Sequence, residues 1–105
     1  MTRNQRRIMF ARVATFEGDQ ADIRQMADGI RHSAESGPPE GVPAKEVLVL
    51  TGRDSGKLVA IVLFETEDDL RQGDATLNQM SPPEDAATVA RRDVEMFDVA
   101  VHQRV

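Results

Sequence analysis

The run Lys57-Leu58-Val59-Ala60-Ile61-Val62-Leu63-Phe64 decides how the rest of the chain is read. Seven consecutive apolar residues, rich in β-branched types, form a strand too short for a buried helix. Just before it, Asp54-Ser55-Gly56 supplies a turn with a glycine where positive φ is usually needed. Before that turn, the segment Lys45–Arg53 carries Val47-Leu48-Val49-Leu50 and reads as the partner strand of a hairpin.

Outward from the hairpin, each flank supplies a helix and a strand. On the C-terminal side, Thr66 is placed to cap a second helix, with Glu67, Asp68 and Asp69 in its first turn, where the helix dipole favours acids. Leu70, Leu77 and Met80 give that helix a thin apolar stripe, interrupted by Gly73. Ser81-Pro82-Pro83-Glu84 stops it and offers a cap for one more turn through Ala86 to Val89. The alternating segment Asp93–Gln103 then reads as the last strand. On the N-terminal side, Ser36-Gly37-Pro38-Pro39-Glu40-Gly41-Val42-Pro43 cannot continue a helix and marks a loop. It is preceded by a helix over 20–35, capped by Asp19, with Ile23, Met26, Ala27, Ile30 and Ala34 on one stripe. The first strand is Ile8–Phe16.

The order β-α-β-β-α-β predicts an α+β, ferredoxin-like fold with a four-stranded antiparallel sheet and the first and third strands at its centre. One domain over 8–104 is expected, with 1–7 a frayed terminus. Two helices cover one face of such a sheet, and a second face in water should alternate apolar with polar. The central strands do not alternate. Leu58, Ala60, Val62 and Phe64 point one way and Val59, Ile61 and Leu63 the other. In the first strand Ile8, Phe10, Ala14 and Phe16 oppose Met9, Ala11 and Val13. Roughly eight apolar side chains on the uncovered face represent about 12–24 kcal/mol of gross burial, as an upper bound. Even half of that is comparable to the net stability of a domain, about 5–15 kcal/mol. The reading therefore expects a homodimer paired through the sheet face.

Composition removes several function classes. The 105 residues contain no cysteine, which excludes disulfides, thiolate nucleophiles and cysteine-bound metals. A net charge of -5 argues against nucleic acid, whose phosphates require clustered Lys and Arg. No apolar run approaches the length of a membrane span, and no leader pattern follows Arg3, Arg6 and Arg7, so a cytoplasmic protein is expected. The two histidines and dispersed acids show no metal-ligand spacing. The prolines of 37–41 remove the amide donors that an anion nest would need.

The opening strand Phe10–Asp19, the turn Asp54–Lys57, the join Leu63–Asp68 and the closing Asp93–His102 together resemble the dimeric α/β-barrel superfamily. Within it they are most similar to the antibiotic biosynthesis monooxygenase-like group of small proteins. The resemblance implies a barrel made by two sheets and a site between helices and sheet. Members include cofactor-free oxygenases of aromatic polyketides, haem-degrading enzymes and proteins without assigned activity. In its enzymes an Asn on the first strand, a Trp near the third strand and a His on the second helix often mark the active site. Here Phe64 stands where the Trp would lie, the second helix has no His, and Asn4 precedes the first strand.

The candidate ligand-binding residues are Arg12, Phe64, Met96, Asp98 and His102. Met96, Asp98, Ala100 and His102 share one face if the last strand alternates throughout. Asp98 there, and Arg12 in the first strand, each break an apolar set and call for partners. A register that sets Arg12 opposite Asp98 also sets Phe10 by Ala100 and Ile8 by His102. That arrangement reads either as a cross-strand ion pair or as a polar patch orienting a ligand carbonyl or phenol. His32, on the polar face of the first helix, reads as a solvated side chain. Three functions remain open: a dimeric binder of a small apolar or aromatic molecule, a cofactor-free oxygenase, and an interaction or structural module without a site. None of them calls for a cofactor or a metal.

Overall fold

The structure is a computed structural model that describes residues 9–80 and 86–105. Its elements are β1 (Phe10–Glu17), α1 (Gln20–Ala34), β2 (Glu46–Thr51), β3 (Lys57–Phe64), α2 (Glu67–Asn78) and β4 (Ala90–Asp98). The four strands form one antiparallel sheet in the order β2-β3-β1-β4, the ferredoxin-like arrangement, with β1 and β3 central. Ile8, the expected frayed terminus 1–7 and the stop at Ser81–Glu84 lie outside the described residues.

Local chemistry accounts for the joins. Gly56 turns the hairpin with φ of 65°, a conformation that costs a residue with a Cβ. The Gln20 side chain clamps that turn, accepting from Gly56 N at 2.7 Å and donating to the Gly52 carbonyl at 3.0 Å. Thr66 caps α2 by accepting from Asp69 N at 3.0 Å. Asp19 occupies the N-cap position of α1 without a side-chain capping bond. The Thr88 hydroxyl instead accepts from Asp19 N at 2.9 Å and donates to the Asp22 carboxylate at 2.6 Å, and Thr88 N donates to that carboxylate at 3.1 Å. The turn at 86–89 is thereby tied to the start of α1.

Register settles the last strand. Phe10 pairs with Asp98, Arg12 with Met96 and Ala14 with Val94, so the expected Arg12–Asp98 pairing is off by one step of two residues. β4 also starts three residues earlier than the sequence reading and ends at Asp98 rather than Gln103. The register shifts between Thr15 and Phe16 because Arg92 is an extra residue: Phe16 faces Arg91, whereas Thr15 faces Asp93. At the other end, Asp98 lies opposite the first residue of β1, and the ladder closes with Val99 N donating to the Met9 carbonyl at 2.9 Å. Residues 99–105 form no strand.

The helices cover one face, α1 over β2 and β3, α2 over β1 and β3. The core beneath them falls into two clusters. Ile23 and Met26 of α1 meet Leu58, Ala86 and Val89, while Leu70 of α2 meets Val42, Val62 and Phe64. Ile23, Leu58 and Phe64 are fully buried, each stabilising the fold by about 1.5–3 kcal/mol. On the opposite face the ladder aligns Leu50 with Val59, Leu48 with Ile61 and Val13, and Leu63 with Ala11 and Phe97. Leu48 is 56%, Leu50 47% and Phe97 44% exposed there.

Candidate functional site

Between the two core clusters lies a cleft of about 540 Å³. Its floor is the helix-facing side of the sheet, where small side chains meet: Ala14 on β1 pairs with Ala60 on β3, and Ala60 pairs with Val49 on β2. Met26, Ile30 and Ala34 of α1 form one wall, Leu77 and Met80 the other, and Pro38 to Ala44 of the connecting loop run alongside. Gly29 stands at the mouth, with no atom within 4 Å of where a Cβ would be. The cleft exists because the facing residues are too small to fill it: two alanines below and a glycine above leave a gap that larger residues would close.

One charged side chain reaches into this apolar setting. Arg12 lines the cleft while being only 3% exposed, and it is the one buried polar or charged residue among the described residues. Its Nε donates to Asp74 Oδ1 at 2.8 Å and its Nη2 to Asn78 Oδ1 at 2.9 Å. Asp74 and Asn78 stand one turn apart on α2, and Asn78 Nδ2 donates to Asp74 Oδ2 at 3.3 Å. The three side chains lock α2 onto β1 and compensate the buried charge. Lys45 and Arg91, with Glu46, complete the charged groups of the cleft. Among the described residues no three His, Asp or Glu side chains converge as metal ligands would, and no helix is long and apolar enough to cross a membrane.

The expected site residues are dispersed. Arg12 lines the cleft, with Asp74 in place of Asp98 as its carboxylate partner. Phe64 is fully buried in the core beneath α2 and lines no cavity described. Met96 and Asp98 share the helix-facing side with Arg12, yet they border a separate depression with Phe10, Leu70 and Arg71. His102 lies beyond β4, its Nε2 3.4 Å from Glu46 Oε1, rather than on a common strand face with Met96 and Asp98. No sequence pattern marks Asp74, Asn78 or the Ala14–Ala60 pair. The only signals were Gly29 in a helix and two alanines in otherwise bulky central strands.

No protein-family model matches the chain, and no curated protein matches it.

Proposed function

We infer that the chain binds a small apolar or aromatic molecule in the cleft between helices and sheet, and that it works as a homodimer. The observation that carries the binding reading is a cleft of about 540 Å³, walled by aliphatic side chains and served by one buried arginine. That size and that mixture of apolar wall and few polar groups are what small-molecule sites have. The cleft opens to solvent, and its aliphatic walls stay wetted unless an apolar molecule covers them.

The dimer reading rests on the sheet face opposite the helices. Burying the exposed half of Leu48, Leu50 and Phe97 would contribute about 2–4.5 kcal/mol per chain. Half-buried Val13, Val59, Ile61 and Leu63 extend the same patch. An apolar face of this kind suits a second copy of itself, because an isologous contact needs one self-complementary patch.

The test of binding is titration with N-phenyl-1-naphthylamine, a neutral aromatic probe that fluoresces in apolar sites. With neither Trp nor Tyr in the chain, the probe signal is free of protein emission. Saturable binding in the wild type, weakened in Gly29→Leu, supports the cleft as the site. Absence of saturable binding contradicts it.

A further inference from the structure

The chemistry of Arg12 says what the ligand carries. A guanidinium has five N–H donors in a fixed fork and no acceptor. Asp74 and Asn78 take one donor each, and among the described residues no further acceptor engages the rest. Only 4% of the Arg12 side chain is exposed, and the cleft is the open space that it lines. Buried donors without acceptors are costly, so a group that supplies oxygen lone pairs there is favoured.

Three further charged side chains line the cleft. Lys45, Arg91 and Glu46 join Arg12 around it, and Asp74 compensates the Arg12 charge. Glu46 Oε1 lies 3.4 Å from His102 Nε2, and Lys45 Nζ lies 3.7 Å from Glu65 Oε1. Arg91 has no ion-pair or hydrogen-bond partner among the described residues.

Building on the binding reading above, we propose that the ligand is a small apolar carboxylate whose carboxylate oxygens are held by the unused N–H donors of Arg12. The aliphatic walls take the hydrocarbon body and Arg12 fixes its orientation. Asp74 and Asn78 are positioning residues: they hold the guanidinium in the wall of the cleft without touching the ligand.

The experiment is displacement of N-phenyl-1-naphthylamine from the wild-type protein by 2-naphthoate and, separately, by 2-naphthamide. The two differ only in replacing a carboxylate by its neutral near-isostere. A charge-assisted bond predicts that the naphthoate displaces the probe at about 10- to 100-fold lower concentration. In the double variant Arg12→Met/Asp74→Met, which removes the ion pair as a unit, the preference should fall to near unity while the neutral probe still binds. Should that variant not fold, the ratio measured on the wild type decides alone. Equal potency of acid and amide, with the probe bound, overturns the carboxylate proposal and leaves the binding site standing. A preference retained in the double variant also overturns it, because another cation would then hold the anion. Failure of the probe to bind overturns both.

Discussion

Phe64 on β3 packs against Gly73 on α2, so closely that a Cβ on Gly73 would stand 2.5 Å from two atoms of the ring. The glycine that weakens the apolar stripe of α2 is therefore the space into which the largest buried side chain fits. Gly73→Ala would raise intrinsic helix propensity by about 1 kcal/mol, yet it must displace the ring of a fully buried residue. A net loss of about 1–2 kcal/mol is expected, the overpacking cost exceeding the propensity gain. Urea unfolding of wild type and variant at one pH measures it.

Gly29 is the contrasting case. It lies in α1 with nothing within 4 Å of the missing Cβ. Gly29→Ala should stabilise by roughly 0.5–1 kcal/mol, from reduced unfolded-state entropy and better propensity. The same urea series reads both signs, and a destabilised Gly29→Ala would mean that the helix is differently rotated.

The Arg12–Asp74 contact makes a sharp distinction between two acids. Asp74→Ala leaves a buried guanidinium charge uncompensated and should cost about 3–5 kcal/mol. Asp98→Ala, at an exposed position opposite Phe10, should change stability by no more than about 0.5 kcal/mol. Thermal denaturation of the two variants separates the observed register from one that pairs Arg12 with Asp98.

Acid should loosen the junction of α1 with the 86–89 turn. The hydrogen bond from the Thr88 hydroxyl, with that from Thr88 N, holds the Asp22 carboxyl below the usual carboxylate range. A pKa lowered by folding means that the unfolded chain binds the proton more readily. The contribution is thus fully present above the ordinary carboxylate pKa and is lost as pH falls through the lower folded value. The stability difference between wild type and Asp22→Asn should be largest near neutral pH and shrink in acid. A difference independent of pH would contradict this account.

Pairing through the open sheet face predicts that Leu48→Lys/Leu50→Lys yields a folded monomer. Both side chains are about half exposed, so the chain itself loses little by the change. Sedimentation velocity at micromolar concentration should show a dimer for the wild type and half that mass for the variant. A wild-type monomer at that concentration would contradict the pairing.

The sequence carried the architecture well because its strongest signals are local. The hairpin from Glu46 to Phe64, the glycine of its turn, the Thr66 cap and the α1 stripe all depend on neighbours a few residues away. The site was far less legible. Arg12 meets Asp74 and Asn78 across 62 and 66 residues, through a helix rotation that no short pattern encodes. The bulge at Arg92 hides the start of β4, since an extra residue breaks the alternation on which strand reading depends. Alternation continues formally to Gln103 and so includes His102, although the ladder ends at Asp98. The cleft itself is made by what is missing, small residues at Ala14, Ala60 and Gly29, and absent volume leaves little trace in a hydrophobic pattern.

The central claim is that the space between the two core clusters is a binding site. Backbone amide shifts of isotope-labelled protein, followed by NMR while N-phenyl-1-naphthylamine is added, test it position by position. The account predicts saturable shifts concentrated at Ala14, Gly29, Ile30, Val49 and Ala60. Shifts confined to Leu48, Leu50 and Phe97 on the open sheet face, or no saturable shifts at all, would contradict it.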